Sequence, residues 1–146
     1  MFTSLDEPDL ELLIAGPSGW GDPVIVDNKR IRQLGYVEEH DLASLYQLSL
    51  GCVFPSLYEG FGYPVAEAIT LGIPVACSNN SSLGEIAGDA AITFDPHSPE
   101  DMKRGLKSLV HDTALRNTIV KNCTARSNLF TPEHFRMQLL SLIKAL

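Results

Sequence analysis

Short apolar runs alternate along the chain with stretches of helical spacing. In "ELLIAG" the apolar run stops at Gly16 and Pro17, which predicts a buried strand ending there. "IRQLGYV" predicts a second strand, "GCVFPS" a third cut by Pro55, "IPVACS" a fourth and "AAITFD" a fifth. "EEHDLASLYQLSL" puts Leu42, Leu45, Tyr46 and Leu48 on one face behind an acidic head, the signature of a helix start. "PVAEAITL" predicts a helix with Pro64 suited to its first position and Gly72 to its stop. "NNSSLGEIAGD" reads as a loop with a short helical turn. "PSGWGDPVIVDNK" reads as a loop whose middle is open. From Ser98 the pattern is helical, with breaks near His111–Asp112 and at "FTPEHF", where Thr131 caps a last helix and Pro132 opens it.

Strands alternating with helices mean βαβ units, so the expected fold is α/β: a Rossmann-like parallel sheet with helices on both faces. Val, Ile, Leu and Ala in the strands suit burial on both sides. A length of 146 residues fits one domain. Such a domain buries about 68–70% of its unfolded surface.

Charge narrows the function. The net charge is −7 and the basic residues are scattered, which argues against nucleic acid as a partner. Cys52, Cys77 and Cys123 are odd in number and form no CxxC pair, so neither a disulfide framework nor a zinc site is signalled. Cys52 and Cys77 lie in apolar runs and read as inert core thiols. The four histidines, His40, His97, His111 and His134, lack metal-ligand spacing. No apolar run approaches the roughly 20 residues that span a bilayer. "MFTSLDEPDL" is not a signal peptide, so the expected location is the cytoplasm, and the sequons at Asn80 and Asn122 are discounted. The apolar face of "HFRMQLLSLIKAL" fits packing on the sheet, a crossing to another domain, or peripheral membrane association, the last supported by only Arg136 and Lys144.

The chemistry gathers in "FPSLYEGFGYPVAEAITLGIPV". Open parallel sheets bind ligands at the carboxyl ends of their strands, and this loop joins a strand to the next helix. Gly60 and Gly62 allow close backbone approach. The helix after them offers unpaired N–H groups and about half a positive charge, a ready site for phosphate. The segment is neither a Walker A motif nor GxGxxG. Glu59 precedes the glycines and Glu67 lies about a turn into the helix. Eight helical residues would separate them by about 12 Å, whereas an acid/base pair of a retaining glycosidase sits about 5–5.5 Å apart. The two therefore read as hooks for the hydroxyls of a long polar ligand, with a diphosphate between them. The same pattern also fits a solvated Glu67 that merely favours a helix N-terminus. Ser81, Ser82 and Glu85 follow the carboxyl end of the next strand and so face the same cleft, but Ser82 with Glu85 reads first as a capping box. Tyr58 reads as a packing residue, and Trp20 fits the cleft or the core equally.

From "VFPSLYEGFGYPVAEAITLGIPVACSNNSSLGEIAGDAAITFDPHSPEDM" the chain resembles the donor-binding half of family-4 retaining glycosyltransferases of the GT-B fold, whose hallmark is the Glu-x7-Glu pattern seen at Glu59 and Glu67. "LIAGPSGWGD", "LGYVEEHDLASLY" and "DTALRNTIVKNCTARSNLFT" are similar too, so the likeness covers nearly the whole chain. The resemblance implies that Glu59, taken as the catalytic residue, accepts from hydroxyls of the transferred sugar. It implies that Gly60, Phe61 and Gly62 offer N–H groups to sugar and phosphate. Tyr63, Pro64 and Val65 would open the helix facing the diphosphate, Glu67 would hold the ribose, and Tyr36 and Val37 would lie along the base. The implied donor is a nucleotide diphosphate sugar, with mannose from GDP-mannose expected. The implied acceptor is a glycan or lipid-linked glycan in polysaccharide biosynthesis. No cofactor and no metal are expected.

The chain departs from the family pattern at Tyr63, where Leu is usual, and at Gly84, where Pro is. It also opens near the family's second strand. The first strand and helix, with an Arg and a Lys that meet the diphosphate, are absent, as is the acceptor-binding N-terminal domain. The expectation is one incomplete nucleotide-sugar-binding domain over residues 1–146, inactive alone. The alternative is a binding module that holds nucleotide sugar and relies on a separate acceptor domain. A missing central strand predicts either reduced stability or direct pairing of the strands flanking the gap.

Overall fold

A computed structural model describes residues 2–17 and 27–145; Trp20, read as a cleft or core residue, lies outside them. The architecture is α/β, and the described strands all pair parallel. Two compact units are present, Met1–Leu45 and Tyr46–Leu146, and the division falls within helix α1, Glu39–Leu48.

In the first unit Phe2 and Leu5 are buried. The Arg30 guanidinium holds this end of the chain, donating to the carbonyls of Thr3 (3.2 Å), Leu5 (3.3 Å) and Glu7 (2.7 Å). It also stacks 5.2 Å from the Phe2 ring centre, a cation–π geometry. Strand β1, Leu12–Ala15, pairs with β2, Ile31–Gly35. Leu12 faces Ile31 and Ile14 faces Gln33, but Ala15 faces Gly35, so Leu34 is bulged out. Gly35 makes this bulge with φ +67°, a conformation that costs other residues strain.

In the second unit β3, Cys52–Phe54, β4, Val75–Ser78, and β5, Ile92–Phe94, form a sheet in the order β3-β4-β5. β4 is central and every one of its residues is buried. The Ser78 hydroxyl, itself buried, donates to the Phe54 carbonyl at 3.4 Å. The helices are α2, Tyr63–Thr70; α3, Ser81–Ala87; α4, Pro99–His111; α5, Thr113–Ser127; and α6, Pro132–Lys144. The segment expected to hold only a helical turn is thus the helix α3, with apolar Leu83, Ile86 and Ala87 buried on one face.

Val65 and Ile69 of α2, Leu83 of α3, Phe94 of β5 and Ile119 of α5 make the centre of the core. Glycines set its closest approaches. A Cβ on Gly105 would stand 2.9 Å from the Phe94 ring, so α4 lies directly on that ring. Helix ends are closed by side chains. Ser98 accepts from the Asp101 N–H at 3.2 Å, Asp112 from Leu115 at 2.8 Å, and Thr131 from His134 at 3.2 Å, as expected for Thr131. Asp101 in turn accepts from the Asp95 N–H and from Arg104, which hold its carboxyl below the usual range. Arg116 donates to the carbonyls of Leu109 and Val110, both at 2.7 Å, at the end of α4. Arg126 donates to those of Ile86 (3.0 Å) and Glu85 at the end of α3. These guanidiniums satisfy carbonyls that a helix C-terminus leaves unpaired.

The direct pairing expected between β1 and β3 is not among the described ladders, which join β1 to β2, and β3 to β4 to β5.

Candidate functional site

The loop from Pro55 to Gly62 leaves the carboxyl end of β3 and enters α2. Pro55 fixes the backbone at the exit, because its ring locks φ. Ser56 follows, and its hydroxyl donates to Glu59 Oε1 at 2.8 Å. A carboxylate only accepts, so the hydroxyl must be the donor. Among the described residues no partner reaches Glu59 Oε2.

Three neighbours from the chain after β4 reach the same loop. Asn80 Nδ2 donates to the Leu57 carbonyl at 2.6 Å. The Glu59 N–H donates to Ser81 Oγ at 3.1 Å, and Ser82 Oγ donates to the Glu59 carbonyl at 3.0 Å. Both peptide groups that flank Glu59 are therefore tied to the start of α3. The capping box read from Ser82 and Glu85 does not form. The N-cap position is Asn80, its side chain makes no cap bond, and Ser82 is committed to Glu59 instead. Ser81 adopts φ +50°, the one positive φ outside glycine among the described residues. For an L-residue this costs about 1–2 kcal/mol, which the bonds of Ser81 and its neighbours offset. Gly84 is also explained: a Cβ there would lie 2.9 Å from the Asn79 carbonyl oxygen.

Gly62 has a reason of its own, besides ligand approach. It is buried, its φ of +96° is left-handed, and a Cβ would fall 2.5 Å from Leu83 Cδ2. Gly60 is exposed and open, with nothing near its missing Cβ. Pro64 stands second in α2, after Tyr63, rather than first. The Gly62 carbonyl accepts from Val65 at 3.0 Å and Ala66 at 3.1 Å, and Pro64 has no N–H. For the N–H groups of Gly60, Phe61, Gly62 and Tyr63 no described residue supplies an acceptor. The exposed rings of Phe61 and Tyr63 lie with centres 4.8 Å apart, tilted 42°. Tyr58 is 81% exposed, so it is not a packing residue.

Glu67 is exposed on α2 and has different company. Burial raises the Tyr46 hydroxyl far above its usual range, and the charges of Cys52 and Glu67 raise it further. Burial also pushes the Cys52 thiol up to about 11, with a smaller contribution from Glu67, and pushes Cys77 up to about 12. The reading of these cysteines as inert follows from that, since the thiolate is the reactive form. Val65 is fully buried in α2 and supports the helix from within. Tyr36 and Val37 directly follow β2 in the first unit, Tyr36 being strongly exposed. No group of three His, Cys, Asp or Glu is placed to hold a metal among the described residues. No described helix is long and apolar enough to cross a membrane.

Chemically, this is a carboxylate pinned at one oxygen and open at the other, beside a run of unpartnered N–H groups at a helix start. It can accept from hydroxyls while donating to an anion. Sequence reasoning placed Ser81 and Ser82 at the same cleft but missed that they, with Ser56 and Asn80, support this loop. The spacing Ser56-x-x-Glu59 was a local signal; the other three are 22 or 23 residues distant from their partners.

The family model described as glycosyl transferases group 1 matches residues 2–126. The chain is 34% identical over 142 residues to O-antigen chain mannosyltransferase B from Escherichia coli, covering 92% of this chain and 37% of that protein. It is 36% identical over 97 residues to the serotype-specific mannosyltransferase WbdA of Escherichia coli, covering 66% of this chain and 12% of that one. Among solved structures, sucrose-phosphate synthase from Thermosynechococcus elongatus superposes with a TM-score of 0.74 at 25% identity, covering 92% of this chain and 38% of that one. Anabaena HepE, solved in complex with UDP-glucose, gives 0.78 at 19% identity, covering 96% and 42%, a likeness of fold. The chain spans little more than a third of the length of the first of these relatives.

Proposed function

The chain belongs to the glycosyl transferases group 1 family, and from that premise we propose that it is the donor-binding part of a family-4 retaining glycosyltransferase. The donor is a nucleotide diphosphate sugar, GDP-mannose, and the acceptor a glycan or lipid-linked glycan. The observation that carries the reading is the pinned Glu59 carboxylate beside the unpartnered N–H groups of Gly60, Phe61, Gly62 and Tyr63. In this reading Glu59 accepts from hydroxyls of the sugar. The N–H groups and the positive end of α2 receive the diphosphate and stabilise it as it leaves, an electrostatic contribution to catalysis. Glu67 holds the ribose. The mannosyl assignment is supported by the two Escherichia coli mannosyltransferases among the relatives.

Calorimetric titration with GDP, UDP and ADP and their sugar conjugates tests this. Binding should favour GDP-mannose and be unchanged by EDTA, since the reading uses no metal. Glu67→Ala should weaken nucleotide binding about ten- to a hundredfold, the loss of one charged hydrogen bond. Equal affinity of wild type and Glu67→Ala would remove Glu67 from the site. Preference for UDP or ADP would overturn the assignment of the donor.

A further inference from the structure

We propose that Ser56 is a positioning residue for Glu59, setting which carboxylate oxygen faces the sugar. The proposal rests on the functional reading of Glu59 given above.

A glutamate at the tip of a loop has three side-chain torsions and, left alone, many orientations of its carboxylate. Here the backbone is already fixed. The Glu59 N–H is tied to Ser81 Oγ, the Glu59 carbonyl to Ser82 Oγ, and the Leu57 carbonyl to Asn80. What the clamp leaves free is the side chain, and Ser56 removes that freedom by its 2.8 Å bond to Oε1. Ser56 stands at the start of this loop, next to Pro55 and two residues after the end of β3. Occupying Oε1 directs Oε2 to the ligand. The preorganised carboxylate then pays no ordering cost when a sugar hydroxyl arrives. Ser56 touches no ligand in this scheme; it acts through Glu59.

The test titrates this chain with GDP-mannose and with GDP. The quantity of interest is the ratio of the two affinities, the part of binding due to the sugar. Ser56→Ala should lower that ratio about three- to tenfold, the size of one net hydrogen bond, while GDP affinity and the unfolding temperature stay at wild-type values. Ser56→Thr, which keeps the hydroxyl, should restore the ratio. Ser56→Ala combined with Glu59→Gln should be no worse than Glu59→Gln alone, because the two act as one unit.

A merely structural Ser56 would instead weaken GDP and GDP-mannose equally, and that result overturns the proposal. So does a ratio unchanged in Ser56→Ala when Glu59→Gln abolishes it; the reading of Glu59 then survives. A ratio untouched by Glu59→Gln sinks the reading of Glu59 itself. Absence of any binding by wild type removes both.

Discussion

Strands β4 and β1 look alike in sequence and end up in opposite surroundings. "VACS" and "LLIA" are both short apolar runs bounded by Gly or Pro. In β4 all four residues are buried; in β1 Leu13 and Ile14 remain 42% and 41% exposed. β4 has a strand on each side and receives α2, α3 and α4. β1 has one partner, β2, among the described residues. An apolar run thus reports what a strand is able to bury. What it does bury is decided by neighbours, and those are a property of topology rather than of the run.

The sharpest way to test this contrast is at the floor of the buried sheet. Phe94→Ala removes a side chain that is 1% exposed and lies under Gly105 of α4. The expected loss is about 3–5 kcal/mol, read as a lower urea midpoint with an unchanged slope. A loss below about 1 kcal/mol would mean the core closes easily around the hole.

A second measurement uses the thiols beside the same sheet. Burial raises Cys52 and Cys77 from 9.0 to about 11 and about 12. A group whose folded pKa is raised lends stability that is fully present below its unfolded value. That contribution is lost as pH climbs toward the folded value. The urea midpoint should therefore hold steady below pH 9 and fall progressively between pH 9 and about 12. Replacing both cysteines by Ala should flatten that part of the curve. An unchanged slope in the double variant would place the alkaline loss elsewhere, with Tyr46 the next group to examine.

The smallest effect belongs to β1. Ile14→Ser on its exposed side should move stability by no more than about 0.5 kcal/mol. A loss near that of Phe94→Ala would erase the contrast between the two strands.

Much of the fold was legible in the sequence because its signals are local. Pro64, Gly72, Thr131 and Pro132 mark helix ends within a residue or two of where they fall. The strands announce themselves as apolar runs cut by Gly or Pro. α3 was read as a turn because "NNSSLGEIAG" is rich in loop formers; tertiary packing of Leu83 and Ile86 makes it a helix. Ser82 follows the capping-box rule in sequence, yet its hydroxyl is drawn to a carbonyl 23 residues away. No local rule sees that bond. Gly62 was explained by a ligand, whereas its left-handed φ and the nearness of Leu83 already require glycine. The division at Leu45 and Tyr46 had no compositional mark at all, since it falls inside one amphipathic helix.

The arginines committed to the main chain bear on how a ligand arrives. The chain has 11 basic residues against 18 acidic ones. Arg30, Arg116 and Arg126 turn their guanidiniums onto main-chain carbonyls. They cannot swing out to meet a ligand without uncapping the chain. On the reading proposed above, a diphosphate would approach a chain of net charge −7 against its long-range field and meet the N–H groups of the loop at short range. Encounter should quicken as ionic strength rises, the reverse of the salt effect familiar from phosphate-binding proteins that steer by surface charge.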